Sequence, residues 1–505
     1  MISLPACLQR SCRLTRPRCL TITAGLLLSL PAFTASAEAN YQLPLDHPYT
    51  LRNAGPPALE SEMARQIRSP APMSFIFPRP CFSGVDSSRV CGEPHGFTYL
   101  EAAQKRQLSV SPRFAYEYRK TGEDVNAFEG GILATGRSGP LSFHLDARMF
   151  TELHEDVDHP SFDREFVERQ DEKASGGSAY SSYSRYRSNI NLDLDWARIS
   201  AGRDAVHWGP GLFTNLSFNQ NAIPFNQISW LSHLGPVSVI TLYGQLSIHG
   251  DSMGTFNQSS DKRSLYAHRY EWRAMRNLLL GISEQLVLYN QEEPFAFVPV
   301  IPLFILKGTG VERRNNGNIS MDIAYRLGGY ANLYSEFFID DIQSPATLFD
   351  DNWGNKWAWM FGAHVVHAIP RGQAGLILEY CRVEPWVYTH YRAGTAQTAH
   401  GGHPLGNPLG PNSQGMILKP YWNGAEGLYL SARTDLIWKG RDKGSSLQDD
   451  MSEGHPVGKA FIRDIDEPRF RITPLAGYTW RSFHLESSAN LGWNPDFSFR
   501  IHWRH

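Results

Sequence analysis

The sequence predicts an all-β chain: a large antiparallel transmembrane β-barrel of about 16–18 strands, with a small helical periplasmic segment before it. Three observations carry that expectation. Apolar and polar residues alternate at period two in segment after segment. Long polar connections alternate with short turns. Beyond residue 37 no apolar run is long enough for a spanning helix. The nearest, PFAFVPVIPLFIL from Pro294 to Leu306, is short and broken by Pro299 and Pro302. A closed barrel is the other way to cross a bilayer with every backbone group satisfied.

The N-terminus reads as an export signal over residues 1–37. Arg10, Arg13, Arg16 and Arg18 precede an apolar run, Leu20 to Phe33, that ends at Ala35-Ser36-Ala37. A basic region, a short apolar core and a small-residue site are what a cleaved secretory signal needs. Its removal leaves Cys81, Cys91 and Cys381. In an oxidising compartment Cys81 and Cys91 are candidates for a disulfide, worth about 2–3 kcal/mol in the chain-entropy model; two buried free thiols are the alternative. Residues 38–106 read as a periplasmic segment with short helices. Leu59, Met63 and Ile67 recur at helical spacing in ALESEMARQIR, and Thr98 and Glu101 stand in capping-box spacing in TYLEAAQKR.

The barrel itself is expected over 107–505. In SNINLDLDWARISAG (188–202), Ile190, Leu192, Leu194 and Trp196 alternate with Asn189, Asn191, Asp193 and Asp195. Leu141, Phe143, Leu145, Ala147 and Met149 alternate with Ser142, His144, Asp146 and Arg148, while Tyr266, Tyr270 and Trp272 interleave with Arg269, Glu271 and Arg273. The chain ends on another such strand, with Phe497, Phe499, Ile501 and Trp503 on one face. A soluble sandwich also alternates, so connection lengths decide. Long ones fall at about 154–186, 204–226, 250–261, 290–315, 342–355 and 386–425. Short turns fall at about 136–140, 195–198, 234–236, 274–277, 327–329 and 368–372. That rhythm belongs to a membrane barrel with long extracellular loops. It fails at 439–467, a long connection on the wrong side, which implies one or two hidden strands nearby.

In a barrel the acidic face of 188–202 looks into the lumen. Asp193 and Asp195, with Arg269, Glu271, Arg273, Glu336 and Asp340, are then candidates for a lumenal ion-pair network. Glu336 and Asp340 share a strand face but stand about 13 Å apart, too far to act as paired glycosidase carboxylates. A net charge of −2 removes any general case for nucleic acid as partner. G-x-S-x-G is absent. His400 and His403 in HGGHPLGNPLGPN have no carboxylate or cysteine in the same loop, so no metal or cofactor is assigned.

Four stretches in order carry a resemblance: GRDAVHWGPGLFTNLSFNQNAIPFNQISW (202–230), YAHRYEWRAMRNLLLGISE (266–284), YSEFFIDDIQ (334–343) and YTHYRAGTAQTAHGGHPLGNPLGPNS (388–413). Together they resemble the Wzi-type capsule-assembly proteins, outer-membrane lectin-like barrels of Gram-negative bacteria. The resemblance implies a closed barrel of about 18 strands with a helical periplasmic part. It also implies a role in holding or organising exported capsular or extracellular polysaccharide at the cell surface. Outer-membrane lipids and the polysaccharide export machinery are the further partners this implies.

Sugars are bound by aromatic faces and planar polar side chains, and the expected extracellular loops supply both. The candidate polysaccharide-binding residues are His207 and Trp208 beside GPG, Trp353, then Trp386, Tyr388 and Tyr391 at one loop entrance, and Tyr421, Trp422 and Asn423 near its exit. The alternative for each is a place in an aromatic girdle or a loop core. No catalytic residue is assigned. Two other readings stand beside lectin-like binding: an outer-membrane hydrolase acting on polysaccharide or lipid, and a porin. The heavy loops, especially 386–425, favour occlusion over an open pore.

Overall fold

The computed structural model describes residues 64, 67–68, 76–77, 97–101, 106–120, 124–154, 169–175, 178–194, 196–219, 222–247, 262–303, 306, 315–391, 395–424, 427–449, 461–462, 468–492 and 495–504. Among them 18 antiparallel strands pair in sequence order, and the last pairs with the first to close a barrel. Strands β1 to β6 are Arg106–Lys120, Asp124–Ser138, Leu141–His154, Ser178–Asp193, Ala197–Asp204 and Phe225–Leu234. β7 to β12 are Val237–Leu246, Arg263–Met275, Leu278–Tyr289, Asn315–Leu327, Ala331–Asp341 and Lys356–Ile369. β13 to β18 are Gly372–Val383, Ser413–Gly424, Leu428–Lys439, Arg469–Trp480, Phe483–Gly492 and Asp496–Arg504.

The pleat sorts the side chains by chemistry. Ile190, Leu194 and Trp196 stand exposed on the outer wall, while Asn191 and Arg187 are buried on the lumen side. In β18 Phe497 faces outward, and Ser498, Arg500 and His502 face in. At the short-turn end, the periplasmic end of such a barrel, Trp196, Trp230, Trp272, Tyr478 and Trp480 form an outward aromatic belt. β1 begins and β18 ends at that same end.

The break in rhythm at 439–467 has its cause in β14, which lies inside the stretch read from sequence as the loop 386–425. Its inner face carries Ile417 and Tyr421, apolar because they pack against chain filling the lumen. That erases the alternation by which a strand is recognised. With β14 and β15 in place, 440–468 joins the long side and the count reaches 18.

Before β1 the described residues are part helix and part strand. Ala64, Ile67 and Arg68 are helical; the first two pack on Val366 of β12, and Arg68 donates to Gln373 of β13 at 2.9 Å. Both contacts lie at the periplasmic mouth. The helix expected from TYLEAAQKR is instead a strand, Phe97–Glu101, paired with the first residues of β1. Phe97 and Tyr99 suit an extended segment, and the open edge of β1 outweighs a capping signal worth about 1 kcal/mol. Ile76–Phe77 forms a two-residue antiparallel pairing with His207–Trp208. The signal peptide, Cys81 and Cys91, Leu59, Met63 and Asp195 lie outside the described residues.

Candidate functional site

The lumen is filled by the protein's own loops. After β5 the chain turns inward, and every residue from Ala205 to Asn219 is buried. Gly209 makes the turn with φ 115°, a conformation only glycine adopts cheaply, and Asn215 knits the segment together. Its amide Nδ2 donates to the carbonyls of Trp208 (2.6 Å) and Phe218 (3.1 Å), and its Oδ1 accepts from Gly211 N (2.7 Å).

A loop driven into a barrel must find partners for its backbone. Two wall carboxylates supply them. Glu379 of β13 accepts from the N–H groups of Leu212 (2.5 Å), Phe213 (3.0 Å) and Thr214 (2.9 Å), and from the hydroxyls of Thr214 and Tyr334, each at 2.8 Å. Glu336 of β11 accepts from Leu216 N (2.8 Å) and Ser217 N (3.0 Å). Gln285 of β9 donates to the Ser217 carbonyl at 2.9 Å. The Phe213 ring also meets Arg433 of β15, whose guanidinium carbon is 4.6 Å from its centroid.

A second loop, 384–412, locks the first. Tyr388 N donates to Asp340 at 2.7 Å, the Tyr388 hydroxyl donates to the Leu216 carbonyl at 2.7 Å, and Asn407 Nδ2 donates to the Thr214 carbonyl at 3.1 Å. Trp386 N and Asn412 Nδ2 reach Gly444 O (2.9 Å) and Ser445 Oγ (2.7 Å) in the next loop. Trp386 and Tyr388 are held with φ of 71° and 67°, left-handed values that a bulky residue keeps only where its surroundings over-determine it.

The candidate sugar-binding residues therefore divide. His207, Trp208, Trp386 and Tyr388 are wholly buried in this plug, with Trp208 edge-on to Phe218 at 4.8 Å. They are loop core. Tyr421, Trp422 and Asn423 belong to the periplasmic end of β14 rather than to an extracellular loop, since the strand hidden in 386–425 carries them downward. There Tyr421 bonds His364 at 2.8 Å inside the lumen. Tyr391 is 43% exposed and Trp353 half-buried, both in extracellular connections.

The lumenal charges divide likewise. Asp193 pairs with Arg198 across β4 and β5. Arg269, fully buried, is forked onto Asp322 (2.6 and 3.0 Å) and also bonds Glu271 (3.1 Å). Arg273 instead donates to the Gly235 carbonyl at the periplasmic turn, and Glu336 and Asp340 hold plug backbone. Sequence reasoning missed Glu379. A signal was available: Ile377, Cys381 and Val383 make the inner face of β13 apolar, so it faces packed protein, and one carboxylate stands among them. It also missed a second network, where Arg148 bonds Asp146 at 2.8 Å and Arg500 bonds Glu129 at 2.8 Å.

Burial pushes the His207 and His400 imidazoles from the ordinary 6.5 down to about 3, so both are neutral in the plug. His400 accepts from Ser247 N at 2.9 Å. The released loops would titrate near 6.5. Plug stability is therefore full above pH 6.5 and falls as pH drops from there towards 3, by about 1.4 kcal/mol per unit per histidine. Conductance of the reconstituted protein is expected to rise reversibly between pH 6 and about 4. A trace unchanged over that range would show that neither ring is exposed by opening.

Comparison with known proteins agrees with this architecture. The family model for the capsule assembly protein Wzi matches residues 105–434, well over half of the chain. No curated sequence is similar to the chain. Among solved structures it is similar to Wzi of Escherichia coli, an outer-membrane protein involved in group 1 capsule assembly and a carbohydrate-binding β-barrel. That match has 14% identity and a TM-score of 0.51, over 78% of this chain and 83% of that one. Pseudomonas aeruginosa OpdK, solved with vanillate, matches at 12% identity and a TM-score of 0.44, over 79% of this chain and 98% of that one. A BenF-like porin from Pseudomonas fluorescens matches at 11% identity and a TM-score of 0.44, over 80% and 99%. The protein is an outer-membrane β-barrel, and it belongs to the capsule assembly protein Wzi family.

Proposed function

We propose that this barrel retains exported capsular or extracellular polysaccharide at the cell surface by non-catalytic binding to its extracellular loops, after export through a cleaved signal peptide. The observation that carries the reading is the plug. Loops 205–224 and 384–412 spend their polar groups on closing the lumen, so the surface left for a polymer is the outer face of the extracellular connections. The E. coli relative's carbohydrate binding and part in capsule assembly support the same assignment. Outer-membrane lipids surround the wall, and export machinery would deliver the polymer.

Of the candidate aromatics, Tyr391 and Trp353 lie in extracellular connections with surface left open, and we take them as stacking residues for sugar. Each stacked ring contributes about 1 kcal/mol, so a single site is weak and a long chain bound at several points gains by effective concentration. Changing both to alanine should leave the barrel folded, weaken binding about fivefold at each position and shift polysaccharide from the cell-bound to the shed fraction. An unchanged distribution between cells and medium counts against binding there. Release of reducing ends or acyl groups from bound polymer would favour the hydrolase reading instead.

A further inference from the structure

The extracellular connection 290–303 does not fold over the mouth. Along β8, Arg269 and Glu271 face the lumen, so Ser264, Tyr266, His268 and Tyr270 face outward, towards the side where lipid belongs. Yet Tyr266 and His268 are buried, as are Thr241 of β7 and Glu284 of β9 on the same outer wall. What covers them is the segment 290–303, which leaves β9 and turns back down the outside of the barrel. Its single 3-10 turn, Pro294–Phe297, and the residues after it are fastened group by group. Thr241 Oγ1 donates to the Phe297 carbonyl at 2.7 Å, the Tyr270 hydroxyl donates to the Pro299 carbonyl, and Leu303 N donates to Glu284 at 2.9 Å. Ser264 and Tyr266 hydroxyls donate to Glu292 at 2.7 and 2.9 Å. Ala296 and Leu303 complete a small apolar cluster with Tyr266, Leu286 and Leu288.

The far side of the segment is apolar and open: Phe295 is 69% exposed, Val300 83% and Val298 39%. From Pro294 to Leu306 the sequence has no charged residue. The surface continues into the lipid-facing band, where Ile282 and Trp272 stand exposed just below on the same wall. Irregular backbone survives at membrane depth only where protein satisfies its polar groups, and the outward hydroxyls and carboxylate of β7–β9 do that. We propose that residues 294–303 form a strap lying in the outer leaflet against the outer wall of β7–β9, with Phe295, Val298 and Val300 in contact with lipid acyl chains. The occupant is lipid because the strap's face is continuous with the lipid-facing wall and, like that wall, uncharged. This rests on the barrel architecture alone and is independent of polysaccharide binding.

The test places a fluorophore on the strap. Val300→Cys, labelled with bimane and reconstituted into phosphatidylcholine vesicles, should be quenched strongly by acyl-brominated lipid and weakly by aqueous iodide. The same label at Asp351→Cys, exposed in the connection between β11 and β12, should show the reverse. Retention of the compact unheated band on gels confirms that each labelled variant is folded. Iodide quenching at position 300 equal to that at 351 would overturn the proposal by placing the strap in water. Quenching by neither reagent would overturn it too, by placing a second copy or another protein on the face.

Discussion

Replacing Glu336 and Glu379 together by alanine converts a closed barrel into a conducting one. The two carboxylates hold seven donor groups, five of them on Glu379. Each buried donor left without an acceptor costs about 1–3 kcal/mol, so the double variant loses at least about 5 kcal/mol of plug stability. The strands keep their own ladder bonds, and the compact unheated band on gels should persist. Planar-bilayer recordings are the measurement: little stable conductance for the parent, open ohmic channels for the double variant. Glu379→Gln, which retains an acceptor oxygen, should fall between. A double variant as silent as the parent would mean that the 384–412 loop closes the lumen unaided.

Arg269→Met strikes the wall rather than the plug. The guanidinium is fully buried between Asp322 and Glu271, and its loss strands two carboxylates without a counter-charge, a change worth about 3–5 kcal/mol. Gly281 has no side chain for a related reason: a Cβ there would stand 2.5 Å from the Asp322 carboxylate and 2.6 Å from the guanidinium. The variant should unfold at markedly lower temperature when boiling is replaced by a graded heat series on gels. Arg269→Met combined with Asp322→Asn should recover part of the loss, because one uncompensated charge is removed. A single variant as heat-resistant as the parent would mean that the site relaxes or admits water.

Most of the wall was legible in the sequence because a wall strand obeys one rule, polar in and apolar out, and Asn189 to Asp193 follow it residue by residue. The heavy loops pointed to occlusion, but the residues that build the plug were not legible, for the reason that β14 was not. Where loop packs inside the lumen, inward residues such as Ile377, Ile417 and Tyr421 are as apolar as outward ones, and period two disappears. Trp208, Trp386 and Tyr388 misled for a related reason. An aromatic in a glycine-rich loop reads the same whether its ring serves a ligand or the loop's own core, and only the position of Glu379 on β13 and Asp340 on β11 distinguishes them. Apolar PFAFVPVIPLFIL is too short to span a bilayer as a helix. Period-based reading has no category for a loop that lies along the outside of a barrel.

The pairing of Ile76–Phe77 with His207–Trp208 has a topological consequence. The chain before that pairing is fixed at the periplasmic mouth by Arg68 on Gln373, and the chain after it is fixed there too, by Phe97–Glu101 on β1. Both holds therefore stand on one rim of the barrel, with the pairing between them in sequence, as a hook stands between the two ends of a drawstring. Ile76–Phe77 and His207–Trp208 belong to no wall ladder, so their pairing can form or part without breaking a strand pairing of the barrel. A pull on Ile76–Phe77 is delivered directly to His207–Trp208, beside the GPG turn on which the plug bends.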